Sequence, residues 1–344
     1  MVRNRRCTML KVAVVGAGFM GTMHRNVYAQ LKDVKVVAVV DGEEEKARKI
    51  ASGAKVYTCT DDMLEKEKPD LVDVCLPTYL HAEHVIKSAE AGAHVLCEKP
   101  MAMNLEEADR MIEVAERAGV SFMVAHCIRF WPEYVAFKEI LDGGSLGGLW
   151  SLSLVRLSPT PTWSWDNWLV WASRSGSAAL DLHIHDTDYV LYLFGTPKAV
   201  WSKGTWVGDG CVHIFTLYDY RDGPAVSAEG GWDMPPSYPF HMDFWATFEK
   251  GAVEMSSARQ PTMTVYPAEG EPYFPELPKP DLSGVEAGGN ISEMGGYFNE
   301  IKYFVDCIIE GRKPEVVTPQ DARESLRVVL AEIESARRGE PVEL

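Results

Sequence analysis

A chain of 344 residues is more than one hydrophobic core ordinarily carries, so two domains are expected. A formal net charge of −16, with no basic, aromatic-laced segment, makes nucleic acid and anionic membranes poor partners, and no apolar run is long enough to span a bilayer. Seven scattered cysteines without a Cys-x-x-Cys pair suit free thiols in a reducing cytosol, hence a cytoplasmic protein, better than a disulfide framework or a zinc ribbon.

The chain starts with "RNRRC" followed by "MLKVAVVGAGF", which imitates the basic start and apolar core of a signal peptide. The apolar stretch runs on into a glycine loop that a fold would need, so a basic tail ahead of a first strand is expected. From Leu10 to Cys127, "LKVAVVG", "VKVVAVVD", "DLVDVCLP", "AHVLCEKP" and "VSFMVAHC" read as strands buried on both faces. Helical patterns separate them. In "NLEEADRMIEVAERAG", Asn104 is the expected N-cap, Glu107 closes a capping box and Gly119 is the stop; "HAEHVIKSAEAG" ends in the same way at Gly92. Short links between strand and helix mean a parallel sheet covered by helices.

The texture changes after Trp131-Pro132. A helix, "EYVAFKEILDGG", leads into alternating segments such as "LWSLSLVRLS", "CVHIFTLYDY" and "PFHMDFWATFE", which predict an antiparallel sheet with one face solvated or docked. The Pro- and Gly-rich piece from Gln260 to Gly289 reads as an irregular loop. An amphipathic helix, "GYFNEIKYFVDCIIEGRKP", and another from about Pro319 close the chain. The expected division is a dinucleotide-binding domain over 1–130 and an α+β domain over 131–344, the latter including the C-terminal helices.

"VAVVGAGFMG" places Gly16, Gly18 and Gly21 at G-x-G-x-x-G spacing directly after a strand, with Ala17, Phe19 and Met20 between and beside them. Gly16 permits the tight turn, Gly18 lets the backbone approach a pyrophosphate, and Gly21 lets the next helix pack on the sheet. The helix N-terminus would then face phosphates with free N–H groups. The pattern alone is weak, since a glycine turn without a ligand is common. Context strengthens it: the second strand ends at Asp41, where a carboxylate can accept from both ribose hydroxyls. A 2′-phosphate would be repelled there, and Glu43, Glu44 and Glu45 add to that against only Lys46 and Arg48. NAD is expected over NADP.

Ligands of an open parallel sheet sit beyond the carboxyl ends of its strands. There the sequence offers Pro77, Thr78 and His81 in "CLPTYLH", Glu98, Lys99 and Pro100 in "LCEKP", and His126 and Arg129 in "AHCIRF". His81 and His84 read equally well as ordinary histidines at a helix start. Together, "GAGFMG", "PTYLH", "EKP" and a later D-x-x-x-H resemble the family of glucose–fructose oxidoreductase, inositol dehydrogenase and rhizopine catabolism proteins, over nearly the whole chain from Leu10. The resemblance implies a Rossmann-type α/β parallel-sheet domain followed by an α+β domain with a large, mostly antiparallel open sheet. It also implies that Lys99 is catalytic, that the Lys99–Pro100 peptide is cis, and that copies associate through the second sheet into a homodimer or homotetramer. Glu98, Lys99 and Arg129 join the glycine loop, Asp41, Pro77, Thr78 and His81 as expected cofactor-binding residues.

"SGSAALDLHIHDTD" resembles the family's pattern G-G-G-x-x-L-D-x-G-x-H-x-x-D at Gly176, Leu180, Asp181, His185 and Asp188, and departs from it at His183, where the family has glycine. As a strand, Asp181, His183 and His185 would share one face like metal ligands. As a helix, Asp181, His185 and Asp188 share a face and His183 points elsewhere. The apolar continuation "YVLYLFGTP", with Gly195 and Pro197 as stops, favours a helix and no metal. An Asp181/His185 pair is then expected beside a pocket that His183 modifies. Oxidising a secondary alcohol moves hydride to a nicotinamide and a proton to a base. Histidine suits the proton, and a lysine cation stabilises a developing alkoxide.

Just upstream, "TWSWDNWLVWASRSG" carries Trp163, Trp165, Trp168 and Trp171, which either stack on a sugar ring or form a core or subunit contact. Lys99, Arg129, Asp181, His183, His185 and Trp168 are therefore the expected substrate contacts. Arg129, Arg156 and Arg174 leave a phosphorylated sugar open. The expected activity is NAD(H)-dependent oxidoreduction of a sugar, cyclitol or sugar derivative. An NAD-dependent glycoside-cleaving enzyme and a non-catalytic dinucleotide-binding regulator are the alternatives.

Overall fold

Six parallel strands form the first sheet: β1 (Leu10–Val15), β2 (Val34–Val40), β3 (Lys55–Tyr57), β4 (Leu71–Val74), β5 (His94–Glu98) and β6 (Phe122–Ala125), in the order β3-β2-β1-β4-β5-β6. This computed structural model describes residues 9–277 and 295–344. Strand β3 is not evident in the sequence, because three residues are too few to carry a period. Helices α1 (Phe19–Tyr28), α2 (Glu44–Ala51), α3 (Thr60–Glu67), α4 (His81–Glu90) and α5 (Leu105–Ala118) make the crossovers. The strand order reverses between β1 and β4, which is where such sheets bind ligands.

The expected caps of α5 are present. Asn104 Oδ1 accepts from the Glu107 N–H at 2.9 Å, and Gly119 takes a left-handed φ of 70°. Glu107 reaches one residue further back than a standard box and accepts from the Met103 N–H at 3.3 Å.

The second sheet has eight strands: β7 (Leu149–Pro159), β8 (Ala199–Val207), β9 (Gly210–Asp219), β10 (Ala225–Met234), β11 (His241–Phe248), β12 (Gly251–Ser256), β13 (Met263–Pro267) and β14 (Val342–Glu343), ordered β13-β12-β11-β7-β10-β9-β8-β14. Every neighbouring pair is antiparallel except β7 with β10. Strand β13 falls inside the stretch expected to be irregular. Its pairing with β12 supplies the order that the Pro-rich local sequence does not advertise. The remainder of that stretch, 278–289, lies outside the described residues.

Helices α6 (Pro132–Gly143), α7 (Ala172–Ser175), α8 (Ser177–Asp181) and α9 (Ile184–Phe194) precede β8, and α10 (Gly295–Glu310) and α11 (Pro319–Arg338) end the chain. The chain divides into two compact units at Ala125. Helix α10 belongs with the first unit, where it packs on α1, whereas the sequence places both C-terminal helices in the second. Among the described residues no disulfide joins the six cysteines, and no helix is long and apolar enough to cross a membrane.

Candidate functional site

In the first unit the glycine loop has the geometry a dinucleotide requires. Gly16 has φ 101°, and a Cβ there would lie 2.3 Å from the Cys75 carbonyl oxygen. A Cβ on Gly21 would lie 1.8 Å from the Gly16 oxygen, so helix and turn touch backbone to backbone. Gly18 is the opposite case: nothing lies within 4 Å of its Cβ position, and it caps α1 without a side chain. The first turn of α1 thus has room beside Gly18 and carries no acidic residue, as an anion at a helix N-terminus requires.

Asp41, at the end of β2, is fixed to the same loop. Its Oδ2 accepts from the Ala17 N–H at 2.8 Å and its Oδ1 from the Glu43 N–H at 2.9 Å, leaving lone pairs on both oxygens. The two cations nearby are paired with acids, Lys46 with Glu43 and Arg48 with Glu44. In the turn beyond β4, Thr78 is 1 % exposed and its hydroxyl has no partner among the described residues. An open helix N-terminus, an oriented carboxylate and a buried hydroxyl awaiting a partner are the donor and acceptor set a nicotinamide dinucleotide uses, so these residues fit it.

Lys99 follows β5, half-buried and preceding a cis proline. Its peptide is held from both sides. Glu98 Oε2 accepts from the Lys99 N–H at 3.1 Å, and His81 Nδ1 lies 2.9 Å from the Pro100 carbonyl oxygen. The other ring nitrogen of His81 lies 2.8 Å from the Leu76 oxygen, and burial lowers its pKa. Both nitrogens thus face backbone carbonyls, so the ring braces the turn that carries Lys99, where the sequence expects His81 among the cofactor contacts.

Behind Glu98 lies a group the sequence reading missed. His24, on α1, has Nδ1 2.8 Å from Asp73 Oδ2 and Nε2 3.0 Å from Glu98 Oε1, all buried. Burial pushes the His24 pKa down, but the charge of Asp73 and the neighbouring Cys75 carry it well above the usual value. Glu98 is the mirror case: burial pushes up, and His24 and Lys99 hold it low. The available signal was Asp73 itself. A carboxylate in the middle of a strand buried on both faces must have a partner.

In the second unit, "LDLHIHDTDY" is helical, as two short helices that meet at Leu182 and His183. The His183 N–H reaches back five residues to the Ala178 oxygen at 2.9 Å. Asp181 ends α8 and is 8 % exposed, and His185 sits in the first turn of α9, half-buried. His183 is fully buried with Nε2 3.1 Å from Glu332 Oε2, where the sequence expects it to modify a pocket beside Asp181 and His185. Among the described residues the one group arranged like metal ligands is His24, Asp73 and Cys75, which includes neither His183 nor His185.

Arg129 is likewise not free for a ligand. Its Nε and one terminal nitrogen bind the two oxygens of Asp188 at 2.8 Å each, and its face lies 4.6 Å from the Tyr192 ring centre. Burial would raise the Asp188 pKa, and the Arg129 charge holds it below the usual range. The sequence expects Arg129 among the cofactor and substrate contacts; in the structure its guanidinium is held in a bidentate, desolvated pair that does not open cheaply. Arg156 repeats the arrangement with Asp186. Trp168 packs partly buried against Leu169, Ala178, Leu182 and Trp232, while Trp163, Trp165 and Trp171 are exposed.

Two family models match the chain: an oxidoreductase family with an NAD-binding Rossmann fold over residues 10–126, and the GFO/IDH/MocA C-terminal domain over 134–254. The chain is 26 % identical to scyllo-inositol 2-dehydrogenase (NAD(+)) of Bacillus subtilis over 97 % of this chain and 96 % of that one. It is 32 % identical to D-glucoside 3-dehydrogenase of Escherichia coli over 70 % and 66 %. Among solved structures, levoglucosan dehydrogenase in complex with NADH and levoglucosan has the same fold, with TM-score 0.85 and 24 % identity over 97 % of this chain and 99 % of that one. With a glycine loop, an "EKP" turn and both domain matches on one chain, the protein belongs to the Gfo/Idh/MocA family of NAD-binding oxidoreductases.

Proposed function

We propose that the protein moves hydride between a secondary hydroxyl of an uncharged sugar, cyclitol or sugar derivative and NAD. The observation that carries this reading is Lys99, its flanking peptide held by Glu98 and His81 at the same sheet edge as the open glycine loop. The inositol and glucoside dehydrogenases among its relatives support the substrate class. Bound NAD supplies the hydride acceptor. Thr78 and the α1 N-terminus bind it, and Asp41 takes its ribose hydroxyls. The Lys99 ammonium stabilises negative charge on the reacting oxygen, His185 takes the proton at a ring nitrogen, and Asp181, one helical turn before it, orients that ring or a substrate hydroxyl. Trp168 offers a ring face to the sugar.

An uncharged substrate follows from the arginines. Arg129, Arg156 and Arg174 are each paired with an aspartate, Asp188, Asp186 and Asp166, which disfavours a phosphate group. We further propose that the protein works in the cytosol, where thiols without disulfides are stable, as a homodimer or homotetramer joined through the second sheet. A panel of sugars, inositols and their phosphates, followed by NADH absorbance, tests the reading. Turnover restricted to phosphorylated sugars, or none on any polyol, would overturn it.

A further inference from the structure

We propose that His24, clamped between the carboxylates of Asp73 and Glu98, is a positioning residue for Lys99: it fixes Glu98 and, through Glu98, the peptide group that carries the lysine. The proposal rests on reading Lys99 as catalytic. The chain of contacts is continuous and buried. Asp73 Oδ2 to His24 Nδ1 is 2.8 Å, His24 Nε2 to Glu98 Oε1 is 3.0 Å, and Glu98 Oε2 to the Lys99 N–H is 3.1 Å. Three elements contribute, α1, β4 and β5, all within the first unit.

The groups facing His24 are Asp73 and Cys75 from β4 and its continuation, Glu98 from β5, and Tyr297 on α10, its ring 6.4 Å away; Tyr28 and Glu300 are buried close to Asp73 and Cys75. Among the described residues these partners of the ring are carboxylates, a thiol and phenols. An imidazolium here is hydrogen-bonded to Asp73 through Nδ1 and lies in ion-pair contact with Glu98 at Nε2, 3.0 Å away. A neutral ring has one N–H and would leave one carboxylate facing a lone pair in a dry interior, free to turn away. Charge therefore selects the rotamer of Glu98, and that rotamer supplies the acceptor for the Lys99 N–H. Together, His24, Asp73, Glu98 and Lys99 balance to zero charge. That is how two buried acids are tolerated beneath a dinucleotide loop.

The test uses the full-length protein with His24→Gln and with His24→Gln/Asp73→Asn. The double variant removes one cation and one anion, keeps the cluster neutral and keeps the side-chain shapes, so it remains folded where the single variant does not. Two readouts are taken: amide hydrogen exchange at Lys99, with no substrate present, and kcat against KM for NAD. The expected result is exchange at Lys99 faster by about tenfold in the double variant, with distant amides unchanged. Turnover should fall by about tenfold or more, with KM for NAD within about threefold of the parent. His24→Lys, which restores a cation but only one point of contact, should recover part of the exchange protection. Parental exchange at Lys99 in a folded double variant would overturn the proposal, as would a uniform rise across the whole sheet. If Lys99→Ala retained full turnover, the reading of Lys99 would fail separately, and the exchange result would still decide the role of His24.

Discussion

His183 Nε2 lies 3.1 Å from Glu332 Oε2, and neither side chain touches solvent. The family pattern has glycine at the histidine's position, so space had to be found. Gly230 supplies it: a Cβ on that residue would meet His183 Nδ1 at 2.9 Å. Thr187 also donates to Glu332, at 3.1 Å, which ties the catalytic-helix candidate α9 to α11. Glu332→Ala should lower unfolding free energy by about 2–3 kcal/mol, the cost of leaving buried polar partners unmatched. His183→Gly paired with Glu332→Gln should cost less than the sum of the singles. Turnover per folded molecule should stay within about threefold, since both side chains are fully buried. Denaturant melts and initial rates check this. A change in substrate preference in His183→Gly would show that the side chain does reach the pocket.

Asp41 is predicted to set the coenzyme. Its two oxygens are oriented by the Ala17 and Glu43 N–H groups, so its charge stands where a 2′-phosphate would lie. Asp41→Ser should improve NADP relative to NAD by about tenfold or more in kcat/KM, and Asp41→Asn by less. An unchanged ratio in both variants would remove Asp41 from the discrimination.

A third prediction concerns pH. On the second sheet His213 lies 3.0 Å from Glu229 Oε1 and 2.8 Å from Asp233 Oδ1. The bond to Glu229, helped by Asp233, raises its pKa from 6.5 to about 9. A folded pKa above the unfolded one means the pair stabilises fully below about pH 6.5 and loses that contribution as pH rises through about 9. The acids are partly exposed, so the contribution is about 1 kcal/mol rather than the full shift. His213→Gln should therefore melt below the parent at pH 6 and converge with it near pH 10. A gap that widened on the alkaline side would contradict the assignment.

The fold was legible where local chemistry and burial agree. Strands buried on both faces, the glycine turn, and the Asn104 and Gly119 caps each carry a periodic or stereochemical signature. Strand β13 and the three-residue β3 carry none, because their order comes from neighbours. The site was legible by residue type but not by direction. Asp181, His185 and Lys99 were readable as chemistry. That Arg129 binds Asp188, that His81 faces backbone and that His183 lies against Glu332 depends on long-range contacts that spacing cannot show. His24 was missed for the same reason.

Association through the second sheet is the fourth prediction. Trp201, Leu217, Ser227, Ser153 and Trp245 form one row across five strands of one face. Three of these are exposed apolar side chains, with Phe215 beside them. So much aromatic area on a flat sheet is characteristic of a contact between copies. Trp245→Glu with Phe215→Glu should shift the protein to monomer in light scattering while the far-ultraviolet circular dichroism is kept. A parent that is already monomeric at micromolar concentration would refute the face as an interface.

The last prediction takes Lys99 and His185 together. If both act on the same hydroxyl, removing either should cost mainly kcat while NAD still binds. Lys99→Ala removes the charge that stabilises the alkoxide, and His185→Ala removes the proton acceptor. Each should lose roughly a hundredfold or more, the scale of a positioned acid–base or electrostatic group. Because they serve one step, the double variant should be little worse than the poorer single. Lys99→Arg keeps the charge but not the compact ammonium, so it should recover only a fraction. Raising the pH should partly restore His185→Ala, because hydroxide can take the proton in its place, and should not restore Lys99→Ala. Strictly additive losses, or rescue of Lys99→Ala by alkali, would assign the two residues to different steps.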